Sequence, residues 1–265
     1  MPAILLRANN ASPWTGPTGT NTYLFRGALP ALIDAGVGDA SHLNAIANSV
    51  GDKGLSAILL THNHPDHSGG VPGIQLKWPQ VRIVKFGETA GATILAGDTE
   101  LRPIHTPGHS PDHLCFFDER EGDLFCGDLV RMGGTIVIPA SQGGNMRQYL
   151  DSLARVRALK PRRLYPGHGT LIDDPAGVID EYLQHRAARE SQVIEALRAG
   201  AASPEAIVAR VYGKLSPVLA QAAADSVLAH LQKLREEGKA TSVAIPWEEK
   251  GEGPPAVSPW AWHLE

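Results

Sequence analysis

Four side chains able to bind a metal ion fall within six residues of this chain. They are His62, His64, Asp66 and His67, in the run Leu59-Leu60-Thr61-His62-Asn63-His64-Pro65-Asp66-His67-Ser68-Gly69-Gly70. Imidazole nitrogen and carboxylate oxygen are the donors zinc takes when no thiolate is offered. An apolar strand runs straight into the segment. His62 and His64 are two apart, so in extended chain they project to the same side. Pro65 breaks that direction, and the next turn can aim Asp66 and His67 elsewhere. One short loop can therefore serve two metals. The ordinary alternative, a polar loop at a helix N-terminus, does not account for ligand types at this density.

Three further segments fit the same chemistry. Thr106-Pro107-Gly108-His109-Ser110 puts His109 on a tight turn after a strand. Phe125-Cys126-Gly127-Asp128 puts a carboxylate directly after an apolar run, and Tyr165-Pro166-Gly167-His168-Gly169 again sets a histidine between glycines. Singly, each of these histidines reads as a hydrogen-bonded turn residue. Together with the four-ligand loop they indicate one buried dinuclear centre. His113 is read as structural, and His42, His105, His185, His230 and His263 have no ligand context. Cys115 and Cys126 read as small core residues. Tyr165 is either a hydrogen-bond donor to substrate or a packing residue.

The elements that must position these groups are short. Apolar runs with branched or aromatic residues occur at 22–26, 31–34, 57–60, 81–86, 94–104, 114–117, 124–126 and 135–138, and they read as strands. Residues 41–49 and 147–158 read as helices; in the second, Tyr149, Leu150, Leu153 and Val156 recur at helical spacing. Residues 9–21 and 131–146 are candidate loops over the site. The character changes near Asp174-Pro175, where an Ala-rich, helix-periodic stretch begins. Ser203-Pro204-Glu205 and Ser216-Pro217 are helix starts, and Leu219, Ala223, Val227, Leu231 and Leu234 form one apolar stripe that Gly238 stops. Three helices followed by the run 241–245 suggest a winged-helix-like module. The expected organisation is a catalytic domain over 1–175, a helical winged-helix-like domain over 176–247 and a flexible Pro- and Gly-rich tail over 248–265. Leu264-Glu265 are set aside from fold reasoning.

Length and composition set the limits. At 265 residues, with 43% hydrophobic and 20% charged, the chain is long enough for an ordinary core and too apolar to be disordered. Two cysteines make no disulfide framework. No apolar run approaches the roughly 18 residues that span a bilayer, and the start lacks a secretory leader. The expectation is a cytoplasmic protein that does not enter a membrane. The net charge of −4 offers no excess for phosphate backbones.

The order of motifs resembles that of the metallo-β-lactamase-fold hydrolases over residues 1–175. The resemblance implies an α+β four-layer αβ/βα sandwich with metals at one edge of two stacked sheets. It also implies that His62, His64 and His109 hold one metal, that Asp66, His67 and His168 hold the other, and that Asp128 bridges both. The bridging Asp is similar to the glyoxalase II and RNase Z types, not to the true β-lactamases. Downstream, Tyr182-Leu183-Gln184-His185-Arg186, Arg189-Glu190 and 145–153 resemble the β-lactamase-like protein 2 group, whose members include an endoribonuclease and thioesterase-like proteins.

Such a site implies a hydroxide bridging two divalent cations as nucleophile. Zinc is the expected metal, with iron and manganese as alternatives. Asp128 and Asp66 are the expected catalytic carboxylates, Asp66 also as a water-orienting or proton-relaying group. The favoured function is hydrolysis of an ester, thioester or similar small acyl substrate, with a homodimer as a candidate assembly. Endoribonucleolytic cleavage of single-stranded RNA is the alternative, and a nucleic-acid-binding or regulatory module is the third. Residues 180–250 carry 9 basic and 10 acidic side chains, too balanced for a phosphate-binding surface. The one basic cluster is Arg147, Arg155, Arg157, Lys160, Arg162 and Arg163. It would either track RNA or form a solvated helix face, and the second is preferred.

Overall fold

A computed structural model describes residues 3–88, 92–244 and 260–265. Contacts divide the chain into two compact units: 1–107, 112–136 and 152–179 form the first, and 108–111, 137–151 and 180–265 form the second.

The first unit is built on two five-stranded sheets. One sheet holds, in spatial order, β1 (Ile4–Arg7), β2 (Asn21–Phe25), β3 (Ala31–Ile33), β4 (Ala57–Leu59) and β5 (Arg82–Val84). The other runs β10 (Arg163–Pro166), β9 (Asp123–Gly127), β8 (Leu114–Asp118), β7 (Thr99–His105) and β6 (Ile94–Ala96). Both are mixed, with parallel pairs β3–β4, β4–β5 and β10–β9. Alternation along the strands explains the layering. Tyr23, Phe25, Ile33, Leu59 and Val84 of the first sheet meet Leu101, Leu114, Phe116 and Phe125 of the second in one core. The opposite face of the first sheet presents Leu24, Leu32 and Ile58 to Ile46 and Val50 of α1 (Ala40–Val50) and to Ile74 of α3 (Val71–Lys77). On the second sheet's side, Ser152 and Arg155 of α4 (Met146–Leu159) donate to the carbonyls of Pro107 and His105.

The second unit centres on α5 (Pro175–Arg198) from residue 180 onward, α6 (Pro204–Val211) and α7 (Pro217–Glu236), with the antiparallel pair β11 (Ala240–Ala244) and β12 (Trp260–Leu264). Ser203 and Ser216 accept from the backbone N–H of Ala206 and Leu219, each followed by Pro, as their capping signals require. Val193, Leu197, Ile207, Val227, Leu231 and Leu234 make the core of this module, together with Trp262.

Three sequence expectations need correction. Residues 94–104 are not one strand: Gly97, at φ 63°, turns the chain between β6 and β7. Residues 135–138 are not a strand, because Val137 O and Ile138 N are bonded to side chains instead of to a ladder. The end of the chain is not a free tail, since residues 260–264 pair with β11 and Trp262 is buried. Residues 248–259 of that expected tail, and Ile245 of the run 241–245, lie outside the described residues. Among the described residues, no helix is long and apolar enough to cross a membrane.

Candidate metal centre

Strand ends gather the ligand-type residues. β4 delivers Thr61 and His62; the short helix α2 (Pro65–Ser68) carries Asp66 and His67, with Pro65 at its first position. β9 ends at Gly127 and delivers Asp128, and β10 leads to His168. His109 sits on the turn after β7 and donates from Nδ1 to the Val137 carbonyl at 2.7 Å. Within the first unit, two groups of donor atoms each lie within 4.8 Å of one another: His62, His67 and Asp128; Asp66, His67 and His168. His64 Nδ1 lies 2.9 Å from His62 Nε2. Six of the seven expected residues therefore come together in the first unit, and His109 belongs to the second. His62, His67, His109, Asp128 and His168 are buried, while His64 and Asp66 are half-buried.

Close approach explains two glycines. A Cβ at Gly167 would stand 2.7 Å from both Asp128 Oδ1 and His67 Cε1. At Gly127, with φ 46°, it would stand 2.8 Å from His113 Nε2 and Thr61 Cβ.

The sequence reading missed Asp34. This buried carboxylate, at φ 60°, accepts from His67 Nδ1 at 2.7 Å, from Thr61 N at 2.8 Å and from the Thr61 hydroxyl. The hydroxyl oxygen in turn accepts from His62 Nδ1 at 3.0 Å. One carboxylate thus favours protonation of both imidazoles on Nδ1, the outer-shell arrangement of metal-binding histidines; Nε2 of His62 faces His64 Nδ1 at 2.9 Å. Its only sequence signal is an acid that directly follows an apolar strand and precedes Ala35-Gly36.

His113 is fully buried, and its Nε2 accepts from Asp128 N at 3.0 Å while Nδ1 meets the Thr106 hydroxyl at 2.8 Å. Both nitrogens are thereby used in holding the turn that aims Asp128. Tyr165 stacks on Phe125 at 4.5 Å and donates to Asp123 at 2.9 Å, which makes it a packing residue. The loop 9–21 does reach the cluster: Thr20 Oγ1 lies 3.3 Å from Asp66 Oδ2. Asn21 Nδ2 donates to the carbonyls of Pro166 and Gly169, and Tyr23 Oη also donates to Pro166, clamping the segment that carries His168.

The donor set fits divalent cations. His67 Nε2 is buried without a hydrogen-bond partner, 3.4 Å from Asp66 and 3.6 Å from Asp128. His168 Nε2 is 3.3 Å from Asp66 and 3.2 Å from Asp128. Without metal, burial opposes charge on both rings. The carboxylates outweigh burial, holding His67 well above the usual histidine range and His168 up to about 9. Asp128 is held low because His168 and His67 overcome its burial.

A pH dependence follows. Raised folded-state pKa values stabilise the metal-free protein fully below the unfolded histidine value, about 6.5. That stabilisation is lost as pH climbs through about 9 for His168. A cation needs bare nitrogen, so zinc uptake at pH 7 should expel close to two protons from these rings, and affinity should rise with pH until both have titrated. Zinc titration in weak buffer with a pH indicator measures the release; uptake without proton release would contradict the ligand roles of His67 and His168.

Comparison with known proteins agrees with this geometry. The metallo-beta-lactamase superfamily model matches residues 15–85 and 79–168, and the beta-lactamase associated winged helix domain model matches 203–247. Lactamase-like protein adaB of Aspergillus niger is 34% identical over 268 residues, covering 91% of this chain and 83% of the relative. A beta-lactamase-like protein 2 homolog of Drosophila melanogaster is 35% identical over 251 residues, covering 83% and 84%. A beta-lactamase domain protein from Burkholderia ambifaria superimposes with TM-score 0.77 at 20% identity over 99% of this chain and 91% of its own. A metallo-beta-lactamase family protein from Thermus thermophilus gives 0.71 at 22% identity, covering 99% and 98%. The motifs, the paired mixed sheets and these relatives agree that the chain belongs to the metallo-β-lactamase superfamily, as a metal-dependent hydrolase with the associated winged helix domain.

Proposed function

We propose that the chain hydrolyses an ester, thioester or similar small acyl substrate with two divalent cations, zinc being the expected metal. In this reading His62, His64 and His109 hold one cation, Asp66, His67 and His168 the other, and Asp128 spans both. Iron or manganese would also suit these nitrogen and oxygen donors. When bound, such a pair supplies a water of near-neutral pKa and polarises the acyl oxygen. The protein's part is orientation. Asp34 and Thr61 fix the faces of His67 and His62, and half-buried Asp66 orients the attacking water and takes its proton. Neither cysteine serves as a nucleophile: both are buried, and burial pushes the Cys115 thiol up to about 12. Two buried, unbridged thiols also fit a reducing, cytoplasmic setting.

One observation favours the acyl substrate over RNA. The basic cluster is largely occupied by internal partners. Arg147 binds Glu236, Arg162 binds Asp123, Arg163 binds Asp173, and Arg155 donates to the His105 carbonyl. The neighbouring carboxylates lower the net positive charge that this cluster offers to a polyanion. The test is one panel of p-nitrophenyl ester, thioester, lactone, β-lactam, phosphodiester and single-stranded RNA substrates, offered to zinc-loaded protein. Turnover of an acyl substrate is expected, with KM changing less than about twofold in the triple variant Arg155→Glu, Arg157→Glu and Arg163→Glu. RNA cleavage that is steeply salt-dependent, lost in that variant and absent from Asp128→Ala would overturn the acyl reading.

A further inference from the structure

The second unit contains a relay that ends on a metal-ligand candidate. The peptide group joining Val137 to Ile138 is bonded at both ends by side chains. Its N–H donates to Ser226 Oγ on α7 at 3.2 Å, and its carbonyl accepts from His109 Nδ1 at 2.7 Å. In a planar trans amide the N–H and C=O point in opposite directions. Ser226 therefore fixes the plane whose far end faces the histidine. The next residue on α7's N-terminal side secures the following turn. Asp225 accepts from Ser141 N at 2.8 Å and from Ser141 Oγ at 2.7 Å, within the single turn Ala140–Gln142. Asp225 and Ser226 are both buried, and Ala140 packs against the helical core. A buried carboxylate and a buried hydroxyl on consecutive residues thus hold one non-helical, non-strand segment.

We propose that Ser226 and Asp225 are positioning residues for His109. By locking the Val137–Ile138 peptide they keep His109 protonated on Nδ1 and make Nε2 the unprotonated nitrogen that a cation would take. The helices of the second unit then set the tautomer of His109, apart from any role in contacting a partner. The inference rests on the reading of His109 as a ligand. Polarisation along the hydroxyl–amide–imidazole chain adds to the effect, because hydrogen bonds in series strengthen one another. Losing such an outer-shell partner lowers metal affinity by about 10–100-fold.

The test uses the full chain and two readouts. Two-bond nitrogen–proton NMR of the metal-free protein reports the tautomer of His109, assigned by its absence from His109→Gln. Cobalt(II) titration reports the affinity of each metal equivalent. The wild type is expected to show His109 protonated on Nδ1. Ser226→Ala should convert it to a mixture of tautomers and weaken one cobalt equivalent about 10–100-fold, leaving the other unchanged. Asp225→Ala should do the same. Asp225→Asn should behave as wild type, because its amide oxygen accepts from Ser141 N while its amide nitrogen donates to the Ser141 hydroxyl.

A merely structural role would lower thermal stability without moving the tautomer. If Asp225→Ala fails to fold, Ser226→Ala decides, since it removes one hydroxyl. A folded Ser226→Ala with an unchanged tautomer and cobalt affinities within twofold overturns the proposal. If His109→Gln weakens cobalt binding and Ser226→Ala does not, only the relay is wrong. If His109→Gln binds cobalt as the wild type does, the ligand reading falls and the relay with it.

Discussion

Asp128→Ala should abolish hydrolysis while leaving the fold intact. Asp128 lies with His67 and His62 in one donor group, and its Oδ1 is within 3.2–3.6 Å of His168 and His67. Among the described residues, no other carboxylate is placed among the histidines of both proposed cation sites. Removing it would leave the proposed pair of cations without the anion that offsets their repulsion. Loss of several kcal/mol of charge stabilisation lowers the rate by about 10³-fold or more. The turn itself should survive, because His113 holds the backbone N–H of Asp128 and not its carboxylate. The measurement pairs acyl-substrate turnover with circular dichroism and metal content. A folded variant with wild-type turnover would remove Asp128 from the site.

Asp34→Asn is the second large effect, and it acts without touching a cation. The amide oxygen can replace Oδ1 in accepting from Thr61 N, 2.8 Å away. The amide nitrogen then occupies the position of Oδ2, 2.7 Å from His67 Nδ1. Two donors cannot face each other there, so His67 must give up its Nδ1 proton and carry it on Nε2. That is the nitrogen proposed to bind metal, so the site is disabled by the wrong tautomer, as when a catalytic histidine loses its orienting carboxylate. Asn also tolerates the left-handed backbone at φ 60°, so the substitution adds no backbone strain. Metal affinity should fall about 10–100-fold, and the metal-free protein should unfold at a lower temperature near neutral pH, because the carboxylate that most raises the His67 pKa is gone. Unchanged affinity in Asp34→Asn would show that His67 does not depend on this carboxylate.

Asp34 also marks where sequence reading stops. The motif from His62 to His67 stands out in the sequence because its candidate ligands are neighbours in the chain, and His109, Asp128 and His168 stand out because each follows a strand and a glycine. Asp34 is tied to a histidine 33 residues away, and nothing local announces a partner at that distance. The same limit explains the other misses. Gly97 splits an apolar run into two strands by its backbone conformation, which the pattern of side chains does not display. Residues 135–138 have strand-like composition, yet Val137 and Ile138 spend their polar groups on His109 and Ser226, which lies far along the chain. Trp260–Leu264 looked like tail because β12 finds its partner, β11, across 15 intervening residues. The helices of the second unit were legible throughout, since caps and 3.6-residue periodicity are local signals.

The most direct test of a dinuclear centre is the metal content of the full chain, purified without chelator and then dialysed after zinc loading. Six ligand-type residues gathered in the first unit, with His109 proposed as a seventh, exceed what one tetrahedral zinc can use. Elemental analysis against protein concentration should approach two equivalents. A value that stays at or below one after zinc loading would contradict the paired arrangement on which the proposed chemistry depends.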